Sequence, residues 1–90
     1  MYTKSAVVKN ATGLHARPAS EFVAAANKFV SKITIRRTDG AGAGVNAKSI
    51  VLLLSQGLSQ NEEVEITAKG EDEVPAVDTL IALIESGFGE

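Results

Sequence analysis

The chain has a single histidine, His15, in the run Gly13-Leu14-His15-Ala16-Arg17-Pro18-Ala19. The residues that follow, Ser20 to Phe29, read as a helix, so the imidazole lies where loop becomes helix. Helix starts carry amides with no acceptor inside the helix, and the positive end of the dipole. Both favour an anion. A neutral imidazole is a nucleophile near neutral pH. If His15 caps the helix, the free N–H groups of Ala16 and Arg17 are near enough to donate to a phosphate on the ring, and the Arg17 guanidinium would add a charge-assisted contact. Pro18 fits the first turn, where its missing N–H costs nothing. These residue types suit a phosphoryl-accepting site. They equally suit a partly exposed histidine that does no more than begin a helix.

Other chemistry is thinner. Gly40, Gly42 and Gly44 resemble a phosphate cradle only superficially. No Lys-Ser/Thr pair follows Gly44 directly and no long helix opens there, so a flexible hairpin loop is expected over Asp39 to Gly44. Ser49 precedes the apolar run Ile50 to Leu54, which makes it a natural N-cap. The same position would accept a phosphoserine, whose added negative charge a helix start favours. Glu71, Asp72 and Glu73 read as charges suited to a helix start. Ser59 to Glu62 matches a capping box but precedes a strand pattern, so no helix is expected there. One histidine and no cysteine give poor support for a transition-metal site. No metal or cofactor is expected.

The elements that position these residues follow from periodicity. Ser5 to Lys9 is a strand with weak alternation, and Asn10 to Gly13 is a turn. A helix runs from Ala16 to Asn27, with Ala19, Phe22, Val23 and Ala26 on one face. Lys32 to Thr38 alternates, with Ile33 and Ile35 inward. Val45 to Ala47 is a short return strand, and Ser49 to Leu54 a short helix closed by Ser55 to Gly57. Glu63 to Lys69 alternates cleanly, with Val64, Ile66 and Ala68 on one side. The last helix spans Glu73 to Ser86, striped by Val77, Leu80, Ile81 and Ile84, with Gly87 at C′. The order β-α-β-β-α-β-α, with one apolar face per element, implies an α+β fold. It is an open-faced two-layer sandwich: a four-stranded antiparallel sheet with three helices on one face. The short helix has more apolar residues than it can bury. One or two of Ile50 to Leu54 should be exposed, beside the reactive histidine, as a docking spot.

Size and composition bound the function. Ninety residues with 44% apolar and 4% aromatic content make one small domain, residues 1–90, built on Val, Ile, Leu and Ala. Such a core supplies only about 3–5 kcal/mol of net stability, so function belongs on the surface. A net charge of −2 argues against a nucleic-acid binder. The lack of cysteine excludes disulfides and thiolate chemistry. Met1 to Ser5 lacks the apolar segment of a signal peptide, and Ile50 to Leu54 is too short to span a bilayer. A cytoplasmic monomer without membrane insertion is expected.

With these residues in place, the chain closely resembles the HPr family, the small phosphocarriers of the bacterial phosphoenolpyruvate-dependent sugar phosphotransferase system. Gly13 to Ala19 resembles the family's histidine motif, and Val45-Asn46-Ala47-Lys48-Ser49-Ile50 its regulatory serine segment. Gly70-Glu71-Asp72-Glu73 is similar to the start of its last helix. The resemblance implies that His15 takes a phosphoryl group on Nδ1 from phosphorylated enzyme I and passes it to a sugar-specific enzyme IIA. Arg17 assists at the phosphate. The protein is then a stoichiometric carrier and not an enzyme. The resemblance also implies phosphorylation of Ser49 by an ATP-dependent HPr kinase/phosphorylase. That form would report to a catabolite-control transcription factor. Ile50, Val51 and Leu54 match family docking positions. Two alternatives within the resemblance are a mainly regulatory adaptor acting through phospho-Ser49 and a nitrogen-branch relative. The chain departs from the pattern twice. The Asp39 to Gly44 loop is about three residues longer, and Leu52 stands where many relatives have glycine.

Overall fold

The computed structural model describes residues 1–40 and 43–89. Its elements are β1 (Tyr2–Val7), α1 (Ala16–Ala26), β2 (Lys32–Arg37), β3 (Val45–Asn46), α2 (Ile50–Ser55), β4 (Glu63–Lys69) and α3 (Glu73–Glu85), then a 3-10 turn at Gly87–Gly89. The strands form one sheet in the order β1-β4-β2-β3, antiparallel throughout. The expected open-faced sandwich is thus the observed one.

Alternation in β2 and β4 decides which face is covered. Ile33, Ile35, Val64, Ile66 and Ala68 are buried under the helices, with Phe22 of α1, Leu53 of α2 and Val77, Leu80 and Ile84 of α3 packed over them. The other face is polar. Arg36 Nε meets Glu65 Oε1 across the β2–β4 pair at 2.9 Å, and Thr3 pairs with Thr67 at 3.0 Å. A period of two on a half-covered sheet produces this division.

β1 begins three residues earlier than Ser5 and ends at Val7, earlier than the expected Lys9. Its inward positions are Tyr2, Lys4 and Ala6, opposite Ala68, Ile66 and Val64. Lys4 and Tyr2 lie at the sheet edge, where both polar ends reach Asp78 Oδ1 on α3, at 2.9 and 3.0 Å. A lysine on the covered face is what hid the strand's start. β3 is two residues long, and the loop before it includes Ala41 and Gly42, which lie outside the described residues.

α3 is anchored at both ends. Asp72 makes no side-chain cap to its own helix. Its carboxylate accepts from the backbone N–H groups of Val30 (2.9 Å) and Ser31 (3.0 Å) and from the Ser31 hydroxyl, tying the start of α3 to the start of β2. Glu73 Oε1 accepts from the Gly70 amide at 3.2 Å. At the other end Gly87 takes the expected positive φ, 68°, and Phe88 turns back into the core, 4% exposed. Among the described residues no helix is long and apolar enough to cross a membrane.

Candidate functional site

His15 is the N-cap of α1, with extended backbone (φ −132°, ψ 165°), and it is partly exposed. Its side chain does not cap the helix. The ring therefore stands beside the helix start without being spent on the helix amides. Pro18 is buried in the first turn, and the helix ladder begins with the Ala19 N–H donating to the His15 carbonyl at 3.4 Å. Ala16 and Arg17 are the exposed positions between. Ala16 sits at φ 50°, a left-handed conformation that costs an L-residue about 1–2 kcal/mol. No signal in the sequence announces it.

The loop before His15 is held tightly. Asn10 is buried, and its Nδ2 donates to the Gly13 carbonyl (2.7 Å) and to Thr12 Oγ1 (3.1 Å). Gly13 has φ 70°, and a Cβ there would lie 2.4 Å from the Leu58 carbonyl oxygen. That same oxygen accepts the Leu14 N–H at 2.9 Å, while the Leu14 side chain is fully buried. The histidine loop thus rests on the backbone just after α2.

That backbone is braced in turn by a residue the sequence reading passed over. Arg37 lies opposite Val64 on the covered face at the end of β2. One of its Nη atoms donates to the carbonyls of Gln56 (3.0 Å) and Gly57 (3.1 Å), and its guanidinium pairs with Glu62. Glu62 Oε1 also accepts the Ser59 N–H at 2.6 Å, which is the carboxylate half of the capping box formed on a turn instead of a helix. The Ser59 amide, then the Arg37 guanidinium, hold the Glu62 carboxyl below its usual range, against the opposing effect of partial burial.

Arg17 stands two residues after His15 and is engaged along α1 and beyond it. Nη1 donates to Glu21 Oε1, one turn along α1, and Nη2 to the Phe88 carbonyl at 3.4 Å. The Arg17/Glu21 spacing of four is a helix-pair signal legible in the sequence. The Phe88 contact was not, since it depends on the chain turning back after α3.

Ser49 is the N-cap of α2, as expected. Its Oγ accepts the Leu52 N–H at 3.2 Å. The exposure of α2 exceeds expectation. Not one or two but four residues of the apolar run are exposed: Ile50 (37%), Val51 (72%), Leu52 (42%) and Leu54 (41%), with only Leu53 buried. Six residues make under two turns, and the one side chain that faces the sheet claims the whole inner surface. The Asn27 Nδ2 donates to the Lys48 carbonyl at 3.3 Å near one end of α2, and Leu14 binds Leu58 beyond the other. α1 and α2 therefore run alongside in opposite senses. This puts the C-terminal end of α2 towards the His15 loop and Ser49 towards the far end of α1. A surface groove lined by Lys32, Ile33, Thr34, Asn46 and Lys48 holds none of the expected site residues. Among the described residues no cluster of three His, Cys, Asp or Glu side chains is placed to hold a metal.

A partly exposed imidazole on a small open-faced sandwich, with exposed Arg17 two residues on and an apolar helix alongside α1, keeps the candidate groups at the surface. This arrangement does not enclose a substrate. The comparisons supply the class of protein. The family model described as "PTS HPr component phosphorylation site" matches residues 2–86. The chain is 41% identical to phosphocarrier protein NPr of Proteus mirabilis, covering 92% of this chain and 90% of that one. It is 44% identical to the HPr-like protein Crh of Halalkalibacterium halodurans, covering 94% and 98%. With the multiphosphoryl transfer protein of Vibrio cholerae it shares 40% identity over 99% of its own length, but it spans only 22% of that larger protein. The crystal structure of HPr-C-His from Thermoanaerobacter tengcongensis superimposes with a TM-score of 0.92 at 47% identity, covering 100% and 98%. The chain belongs to the HPr family of the phosphotransferase system, whose members are phosphocarriers and not catalysts.

Proposed function

We propose that this chain carries phosphoryl groups in the sugar branch of the phosphotransferase system, with His15 as the host. Neutral His15 attacks the phosphorus of phosphorylated enzyme I through Nδ1. One P–N bond forms as the donor's P–N bond breaks. The second transfer, to a histidine of an enzyme IIA, repeats the exchange in the other direction. Arg17 and the amides of Ala16 and Arg17 bear on the phosphate oxygens. Ile50, Val51 and Leu54 dock both partners.

The observation that carries the reading is the placement of His15. It is partly exposed at the start of α1, its ring uncommitted to capping, and followed at once by exposed Ala16 and Arg17. A relay also must not become a sink. Each 1.4 kcal/mol of extra grip on the phosphate is tenfold against onward transfer, so an open, lightly contacted site suits a carrier. The test is labelling from phosphoenolpyruvate through enzyme I, followed by transfer to enzyme IIA. Acid-labile label on the wild type and none on His15→Ala is expected. Label on His15→Ala overturns the assignment.

A second role rests on Ser49. Its Oγ already stands at the start of α2 as an acceptor, and a phosphate there would retain favourable contact with the helix amides. The family resemblance implies phosphorylation by an ATP-dependent kinase and a regulatory output through a catabolite-control factor, and an HPr-like protein Crh stands among the relatives. Acid-stable phosphate on Ser49 with ATP and that kinase is the expected result. Acid-stable phosphate with no transfer from His15 to any enzyme IIA would favour the adaptor role over the carrier role. Charging by a nitrogen-branch enzyme I in preference to the sugar-branch one would move the protein to that branch.

A further inference from the structure

In the unphosphorylated protein Arg17 already has a carboxylate. Its Nη1 donates to Glu21 Oε1, four residues on along α1, while Nη2 reaches the Phe88 carbonyl. Both side chains of the pair are solvent-exposed, 56% for Arg17 and 39% for Glu21. A guanidinium is a rigid planar fork, and its two-pronged grip on a carboxylate or a phosphate uses the same edges. A phosphoryl group on His15 therefore competes with Glu21 for one guanidinium.

The geometry points to Glu21 as a positioning residue that sets how firmly the carrier holds its phosphate. Glu21 keeps Arg17 in reserve, so the phosphohistidine gains the Arg17 contact only less the cost of releasing the Glu21 pair. This rests on the reading of His15 as the phosphoryl host. The consequence lies in the transfer equilibrium. Without Glu21, Arg17 turns to the phosphate without giving up that carboxylate, the phosphorylated form is more stable, and onward transfer is less favourable. An exposed pair at this helical spacing shifts an equilibrium by about twofold. A shift of that size adjusts a relay without blocking it.

The experiment compares wild type, Glu21→Gln, Arg17→Ala and the double variant. Each is equilibrated with enzyme I at a phosphoenolpyruvate-to-pyruvate ratio that leaves half of the wild-type protein phosphorylated. The ratio of phosphorylated to free protein is read by ³¹P NMR. Glu21→Gln is expected to raise the ratio about twofold, and the same substitution is expected to leave it unchanged in the Arg17→Ala background. The Arg17 Nε resonance of the unphosphorylated protein should move in Glu21→Gln, which checks the resting pair without any phosphate. An unchanged ratio in the single variant overturns the proposal. So does an equal rise in the Arg17→Ala background, since Glu21 would then act on the phosphate directly. A wild-type protein that takes no phosphate at His15 overturns the carrier reading itself. That failure is distinct, because it appears before any variant is compared.

Discussion

Gly13→Ala tests whether the backbone after α2 holds the His15 loop in place. The new Cβ meets the Leu58 carbonyl oxygen at 2.4 Å and the Ser59 Cα at 2.9 Å, both backbone atoms that cannot swing aside. The residue must also keep φ 70°, at about 1–2 kcal/mol for alanine. Relieving the clash separates the loop from Leu58 and breaks the Leu14 N–H bond to it, a further net loss of about 0.5–1.5 kcal/mol. Together with residual strain the cost is about 3 kcal/mol. At roughly 4–8 °C per kcal/mol for a domain of this size, Tm should fall by roughly 12–24 °C. Gly57→Ala is the control. It also has positive φ, 61°, but no heavy atom lies within 4 Å of its added Cβ. Only the backbone cost of about 1–2 kcal/mol applies there, so Tm should fall by roughly 4–16 °C, less than in Gly13→Ala. Thermal unfolding followed by circular dichroism reads both. At a temperature where Gly13→Ala remains folded, its phosphoryl uptake should also be slower than wild type, while Gly57→Ala keeps its rate. Equal Tm losses in the two variants would refute the steric argument.

Truncating the one buried side chain of α2, Leu53→Ala, should cost about 2–5 kcal/mol in urea unfolding and loosen the helix that bears Ile50, Val51 and Leu54. Val51→Ser, at the most exposed apolar position of that helix, should weaken transfer from enzyme I at low protein concentration with Tm nearly unchanged. Ser49→Ala should lose about 1 kcal/mol, the usual worth of an N-cap, by thermal unfolding. The carboxyls of Asp72 and Glu62 are held below their usual ranges. For Asp72 the Ser31 hydroxyl is the main cause and the Val30 and Ser31 amides help, and for Glu62 the Ser59 amide comes first. A lowered folded-state value means that both stabilise the fold fully above the unfolded values, about pH 4. They lose that contribution as pH falls through the lower folded values. Asp72→Asn with Glu62→Gln should therefore flatten the acid limb of the stability-against-pH curve below about pH 4. An unchanged limb would contradict those bonds.

The sequence was most legible where one face of an element meets the core and one meets water. β2, β4, α1 and α3 announce themselves by period, because Ile33, Ile35, Val64, Ile66, Phe22, Leu80 and Ile84 each recur at the spacing that burial requires. β1 was misplaced because Lys4, on the covered side, satisfies its charge at Asp78 and breaks the alternation. The exposure of α2 was underestimated because a helix this short has room for one inward side chain, and the apolar excess goes to solvent. At the site, His15, Arg17 and the Ser49 cap were visible from residue type and position. Their supports were not. Arg37 reaches Gln56 and Gly57, Leu58 holds Leu14, and Phe88 meets Arg17, over separations of 19, 20, 44 and 71 residues. Contacts of that reach are set by the folded arrangement and leave no local pattern. The positive φ of Ala16 is equally silent, since alanine has the highest helix propensity and carries no turn signal.

The central claim is that the ring of His15 is the atom set that carries phosphate. A two-bond ¹H–¹⁵N spectrum of the ¹⁵N-labelled protein, taken before and after charging with enzyme I and phosphoenolpyruvate, tests it directly. With one histidine in the chain the ring signals need no assignment by mutation. A large shift of Nδ1 on charging, reversed when enzyme IIA is added, is expected. Covalent phosphate on the protein with both His15 ring nitrogens unmoved would contradict it.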